Sequence, residues 1–276
     1  MSLPSIRDTV ERLGITADKR LGQHFLFDLN LTARIARSAG DLTAGSTIEI
    51  GPGPGGLTRA LLEGGAHLIA IERDERLRPL LAELEAAYPG RLSVIWGDAL
   101  VIDAATLGDA PRRIVANLPY NIATELVMNW LDRAKQFESL TVMVQREVAE
   151  RFVAGPGTSA YGRLAVRSQW LCQIDLLFTV NPRSFVPPPK VESAVVRFVP
   201  RPVPLHPADD EALQRVTAAA FGQRRKMLRQ SLKRLAISAG YEDGSALCAA
   251  TDILPTARAE TLTIAEFCRL AALTTR

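Results

Sequence analysis

Residues 47–58 read TIEIGPGPGGLT: a short apolar run that breaks into glycines and resumes with helical spacing. TIEI (47–50) predicts a strand and Thr58–Gly64 a helix, joined by a tight turn. Glycines belong where a turn brings the backbone close to a ligand, because a Cβ there would collide with it. Gly51, Gly53 and Gly56 also satisfy G-x-G-x-x-G, and Glu72 lies 21 residues after Gly51. On that motif alone a dinucleotide-dependent dehydrogenase is a fair reading.

Working outward, apolar runs alternate with helical stretches at a regular rhythm. HLIAIE (67–72), RLSVIWGD (91–98), RRIVANLP (112–119) and SLTVMVQ (139–145) predict strands, with helices over 28–39, 76–88 and 122–134. Each strand is continuously apolar rather than alternating, so the pattern implies an α/β fold whose parallel sheet is covered on both faces. IDLLFTV and SAVVRFV are later strands, joined by a proline-heavy loop and placed as an antiparallel addition at the sheet edge. PRPVPLHPADD (200–210) marks the boundary, since its prolines continue neither a helix nor a central strand. The expected organisation is an N-terminal extension (1–20), a catalytic domain (21–200) and a small all-helical domain (201–276) with helices over 209–220, 223–238 and 263–272.

Carboxylate or amide groups recur at successive strand ends: Glu49, Glu72, Asp98 and Asn117. Strand ends are where an open α/β sheet presents its ligand crevice. The series suits a nucleoside-containing cofactor lying across several strand tips, with its reactive end toward Asn117. After Asn117 come Leu118, Pro119 and Tyr120. The Asn117 side-chain oxygen and the Leu118 carbonyl form a pair of acceptors for an exocyclic amine. Pro119 biases Leu118 away from the helical region, so that its carbonyl can point outward. Tyr120 offers a face on which an extruded base stacks.

The 276 residues are 47% hydrophobic and 23% charged, enough for one large core and a smaller unit. No run approaches the length of a membrane span, and the first residues lack the apolar core of a signal peptide. Cys172, Cys248 and Cys268 are widely spaced in apolar company, as in a reducing compartment without disulfides. His24, His67 and His206 are scattered, so no zinc spacing exists and no metal is expected. The net charge is only +3, but residues 211–240 carry +6, chiefly through Arg224, Arg225, Lys226, Arg229, Lys233 and Arg234. Such local asymmetry suits an anionic partner. Leu228, Leu232 and Leu235 fall on one stripe of the expected 223–238 helix, leaving those basic side chains around it. Arg146 and Arg151 are candidates to extend that surface.

From about residue 19 onward the chain resembles the ribosomal RNA adenine N6,N6-dimethyltransferases. The likeness rests on LGQHFL (21–26), EIGPGPGGLT (49–58), NLPY (117–120) and SFVPPPKVESAV (184–195). It implies a Rossmann-like, class I methyltransferase sheet with S-adenosyl-L-methionine as cofactor. By the same resemblance Gln23, His24, Phe25 and Leu26 form the N-terminal cofactor segment. Glu49, Gly51 and Gly53 meet the amino acid portion, Glu72 with Arg73 takes the ribose, and Asp98 with Ala99 holds the adenine. NLPY is then the catalytic tetrapeptide, with Phe185 packing against the flipped base. The implied target is two adjacent adenines near the 3′ end of small-subunit 16S rRNA. The implied partner is the small ribosomal subunit, met by a cytoplasmic monomer with no membrane. Methylation of a different amine, a large-subunit RNA target and an assembly factor with a vestigial site stay open as alternatives.

Overall fold

The computed structural model describes residues 3–275. Residues 1 and 2 of the expected N-terminal extension, and residue 276 of the expected helical domain, lie outside the described residues. The chain forms two compact units, Met1–Ala149 with Asp175–Pro200, and Glu150–Ile174 with Arg201–Arg276.

The first unit opens with α1 (Ile6–Arg12), capped by the Ser5 hydroxyl accepting from the Asp8 N–H. Then come β1 (Phe25–Leu26) and α2 (Leu29–Ser38), whose Asp28 cap accepts from the N–H groups of Asn30 and Leu31. There follow β2 (Ser46–Ile50), α3 (Gly56–Glu63), β3 (Leu68–Glu72), α4 (Arg78–Ala87), β4 (Leu92–Trp96), β5 (Arg112–Asn117), α5 (Ala123–Leu131) and β6 (Ser139–Gln145). The chain continues through α6 (Arg146–Val153), α7 (Arg163–Leu171), β7 (Cys172–Val180), β8 (Phe185–Val186) and β9 (Ser193–Pro200). Seven strands form one sheet in the order β4-β3-β2-β5-β6-β9-β7, while β1 and β8 pair separately.

Strands β2 to β6 pair in parallel, and β9 runs antiparallel to β6 from Leu140↔Phe198 to Gln145↔Ser193. The late strands thus add antiparallel pairing as expected, with β9 inside β7. Ile48, Ala70, Ile114, Val115, Leu140, Val142 and Val195 are fully buried, so the central strands are apolar on both faces. Each such aliphatic side chain stabilises the fold by roughly 1.5–3 kcal/mol relative to exposure. Successive strands leave in opposite directions between β2 and β5. A ligand crevice opens outside the strand ends at such a switch point, here Ile50 and Asn117.

The second unit is mostly helical: α7, then α8 (Asp210–Gly222), α9 (Leu228–Ser231), α10 (Lys233–Ser238), α11 (Gly244–Ala249) and α12 (Ile264–Ala272). Its core joins Val166 and Trp170 of α7 to Leu213, Val216, Leu232, Phe267 and Leu270. That packing groups residues 150–174 with the helical unit. Thr263 and Glu266 form the expected capping box at α12.

The expected helix over 223–238 is broken. After α8 the chain turns, Met227 bridges Arg258, and the N–H groups of Leu228 and Arg229 donate to the carbonyls of Ala257 (2.8 Å) and Pro255 (3.1 Å). Partners far along the chain replace the carbonyls four residues back, and the local helical pattern is overridden. The stripe still buries Leu228 and Leu232, with Leu235 half-buried. Helix α11, capped by Asp243, went unanticipated because its apolar residues are too few to show a period. Among the described residues no helix is long and apolar enough to cross a membrane.

Candidate active site

The ends of β2, β3, β4 and β5 border one cleft, together with the segment Arg20–Leu26; its empty space is about 1130 Å³. Gly51 and Gly53 follow β2 with φ of +65° and +54°, a region that favours glycine. A Cβ on Gly51 would meet no protein atom within 4 Å, so it would project into open space. Gly56 opens α3 for a different reason: a Cβ there would stand 2.3 Å from the Leu26 carbonyl oxygen. The glycines therefore serve both the cleft and the packing of β1 on α3.

Glu49 is only 1% exposed, and its Oε2 has no hydrogen-bond partner. Burial pushes its carboxyl up to about 8, with the Thr58 hydroxyl opposing the rise and Glu72 adding to it. An unpartnered buried carboxyl beside the cleft is costly unless a cation or donor meets it. At the tip of β3 the Glu72 carboxylate accepts from the N–H groups of Arg73 (2.8 Å), Asp74 (2.8 Å) and Gly53 (3.2 Å). Burial raises its pKa against the pull of those N–H groups. Two oxygens offer about four acceptor sites, so three bonds leave capacity for a hydroxyl. Asp98, past β4, uses Oδ1 for the Leu100 N–H (2.9 Å), while Oδ2 faces the exposed Arg73 guanidinium at 3.2 Å. Ala99 lines the cleft beside it.

The N-terminal segment is fastened at several points. Phe25 and Leu26 pair with Val186 and Phe185 as β1 and β8. The His24 ring Nδ1 lies 2.7 Å from the Pro187 carbonyl. Gln23 lines the cleft, but its carboxamide is engaged at both atoms: Oε1 accepts from the Asp18 N–H (2.8 Å) and Nε2 donates to Asp74 Oδ2 (2.9 Å).

Asn117 ends β5, and the Leu118 N–H continues the ladder to the Met143 carbonyl at 3.1 Å. The Asn117 carboxamide donates through Nδ2 to the His24 carbonyl at 3.2 Å. An amide meets a carbonyl only through its nitrogen, so Oδ1 remains an acceptor. The Leu118 side chain is buried, whereas Asn117, Pro119 and Tyr120 are partly exposed along the cleft. The Tyr120 hydroxyl lies 2.6 Å from Ser193 Oγ, and its ring stacks on His24 with centroids 5.6 Å apart and planes 28° apart. Burial raises the pKa of that phenol, and the bond to Ser193 works against the rise.

Phe185 departs from expectation. It is 2% exposed and does not line the cleft; its ring meets His24 edge-on at 6.3 Å. Pairing with Leu26 turns it inward, so it backs the His24–Tyr120 stack instead of facing a ligand. Asp74 and Ser193, now the anchors of Gln23 and Tyr120, were not singled out by sequence reasoning. ERDE (72–75) reads as an ordinary acidic helix start, and nothing local reveals their partners.

In the helical unit, Arg225, Lys226, Arg229, Lys233 and Arg234 are exposed. Arg224 is not available in the same way: its Nε donates to Glu260 at 2.9 Å and its Nη2 to the Thr158 carbonyl at 3.1 Å. Arg146, in the other unit, pairs with Glu192 at 2.7 Å. The three cysteines are free and buried, and burial pushes their thiols up to about 12 for Cys172 and about 11 for Cys248 and Cys268. Such thiols are inert, which excludes them as nucleophiles.

The chain is 59% identical over 98% of its length to a Ribosomal RNA small subunit methyltransferase A from Rhodospirillum rubrum, covering 92% of that protein. Its fold is like that of a dimethyladenosine transferase from Plasmodium falciparum, with a TM-score of 0.78 at 24% identity over 90% of this chain and 96% of that one. It is also like the 23S rRNA methyltransferase ErmE, with a TM-score of 0.68 at 26% identity over 91% and 100% of the two chains. A family model described as Ribosomal RNA adenine dimethylase matches residues 14–276. With that match spanning nearly all of the sequence and the fold of a methyltransferase around the strand-tip cleft, the chain belongs to the ribosomal RNA adenine dimethylase family.

Proposed function

We infer that this protein dimethylates N6 of two adjacent adenines in the 3′-terminal hairpin of 16S rRNA during assembly of the small ribosomal subunit. The observation that carries the reading is the orientation of Asn117: its nitrogen is committed to the His24 carbonyl, and its oxygen is left as an acceptor next to the Leu118 carbonyl.

S-adenosyl-L-methionine supplies an electrophilic methyl group on a sulfonium centre, and the cleft residues suit it. The unpartnered Glu49 carboxyl would hold the cationic amino group, and the open space at Gly51 would admit the amino acid portion. Glu72 would take ribose hydroxyls and Asp98 the adenine amine, with Arg73 and Ala99 beside it.

The lone pair of an adenine N6 is delocalised into the ring, which makes it a poor nucleophile. Asn117 Oδ1 and the Leu118 carbonyl, each accepting one N–H, steer that nitrogen toward tetrahedral geometry. Tyr120 stacks on the extruded base, held by Ser193 and His24. The amine becomes strongly acidic only once it carries the new methyl, so its proton passes to water without a strong base. Alignment and electrostatic fit contribute most of the rate. For the second transfer one N–H remains, and one acceptor suffices to hold it. The exposed Arg225, Lys226, Arg229, Lys233 and Arg234 would meet phosphates, which position RNA without reading its bases.

Labelled methyl transfer to unmodified small and large subunits, followed by nucleoside analysis, tests the reading. Dimethyladenosine confined to small-subunit RNA is the expected result. Label appearing only in large-subunit RNA, or on another nucleoside, would refute it.

A further inference from the structure

We propose that Gln23 is a positioning residue for Asn117: anchored on Asp74, it holds the His24 carbonyl where it selects the reactive orientation of the Asn117 carboxamide. The inference rests on the reading of Asn117 given under Proposed function. It gives Gln23 a role through the protein rather than through the cofactor.

The anchor is rigid. Asp74 is 5% exposed and sits just beyond β3. Arg76 grips it twice, Nε to Oδ1 at 2.8 Å and Nη2 to Oδ2 at 2.6 Å, and its own N–H donates to Glu72 at 2.8 Å. The hydrogen bonds from Arg76 hold its carboxyl below the usual range against the effect of burial, with Gln23 adding to them. Gln23 Nε2 donates to this fixed carboxylate at 2.9 Å, while Oε1 accepts from the Asp18 N–H at 2.8 Å and so closes the turn that precedes it. The Gln23 N–H donates to the Asp18 carbonyl at 3.2 Å. The next carbonyl along the chain is that of His24, which receives Asn117 Nδ2 at 3.2 Å. Asp74, Gln23, His24 and Asn117 therefore form one connected path between the tips of β3 and β5.

The consequence follows from the symmetry of a carboxamide. Rotated by half a turn, Asn117 would present its NH2 group to the substrate amine, donor against donor, and its oxygen to the His24 carbonyl, acceptor against acceptor. The His24 carbonyl disfavours that orientation only while it stays within hydrogen-bond range. His24 has further restraints on the other side, through its ring and Pro187. Loosening Gln23 should therefore lower the fraction of correctly oriented Asn117 without emptying the cleft.

The experiment is a cycle of Gln23→Glu, Asp74→Asn and the two together, measured as kcat and as KM for S-adenosyl-L-methionine with unmodified small subunits. Gln23→Glu sets two carboxylates against each other and should reduce kcat about ten-fold, with KM changed less. The double variant restores one donor and one acceptor in exchanged order, and kcat should recover most of the loss. A purely structural role would show in the thermal midpoint and leave kcat alone. Wild-type kcat in Gln23→Glu with a raised KM alone, or no recovery in a folded double variant, would overturn the inference. Should Gln23→Glu not fold, Gln23→Ala takes its place: a kcat equal to wild type overturns the inference, and a selective fall in kcat supports it. Asn117→Ala in the same assay separates the levels: if it transfers methyl normally, the reading of the site itself fails, whereas its inactivity leaves only the Gln23 inference at stake.

Discussion

Replacing Glu49 with glutamine should make the protein more stable and less able to bind its cofactor, and the two effects have one cause. The carboxyl is buried without a partner on Oε2, and its pKa rises from 4.5 to about 8. Because the folded value lies above the unfolded one, the folded state retains a proton that the unfolded state gives up. Stability linked to Glu49 is complete below pH 4.5 and is lost progressively as pH climbs through about 8. At pH 7 the loss is about 3 kcal/mol, and above pH 9 it levels at about 5 kcal/mol, taking 1.36 kcal/mol per unit. Glutamine stays neutral throughout, so urea unfolding of the two proteins should give nearly equal stabilities at pH 4 and a gap of about 3 kcal/mol at pH 7. The same substitution removes a charge-assisted bond of about 1.5–3 kcal/mol to the cofactor's ammonium, raising its dissociation constant roughly 10- to 100-fold. Binding at pH 7 should also release a proton from the native carboxyl, seen as a dependence of calorimetric enthalpy on the buffer. Stability curves that run parallel from pH 5 to 8, or unchanged cofactor affinity in the variant, would refute the reasoning.

Asp98→Ala should raise KM for S-adenosyl-L-methionine about 10- to 100-fold with little change in kcat, since it touches only the distal adenine; an equal fall in kcat would contradict this. Gly51→Ala meets no protein atom and should fold, although its φ of +65° is unfavourable to alanine. Cofactor titration of that variant should show weakened binding. Lys233→Glu with Arg234→Glu should weaken binding to small-subunit RNA and flatten its salt dependence, the slope changing by about one per lost phosphate contact. Arg224→Ala should instead lower the unfolding midpoint, because it removes bonds to Glu260 and Thr158.

Much of the catalytic unit was legible because its signals are local. The strand TIEI, the glycine turn and the Asp28 cap each declare themselves within a few residues, and the strand-end series Glu49, Glu72, Asp98, Asn117 lines one cleft as expected. What was not legible depends on pairing at a distance. Phe185 reads as a ligand-facing aromatic until its neighbour Val186 is seen paired with Phe25, some 160 residues away, which turns it inward. The Gln23–Asp74 and His24–Asn117 bonds join positions 51 and 93 residues apart. The break in the 223–238 helix arises likewise, from carbonyls of Pro255 and Ala257 that no window around Leu228 contains. Arg224 shows the same limit in charge: a run of basic residues does not tell which member finds an internal carboxylate.

The central claim is that Asn117 Oδ1 and the neighbouring Leu118 carbonyl bind the attacking amine. Single-turnover methyl transfer by Asn117→Ala, with cofactor and small subunits saturating, tests it most directly. The expected outcome is a rate of dimethyladenosine formation reduced roughly 10²- to 10³-fold while both ligands still bind, the scale of removing one well-placed catalytic contact. Transfer at the wild-type rate would contradict the account.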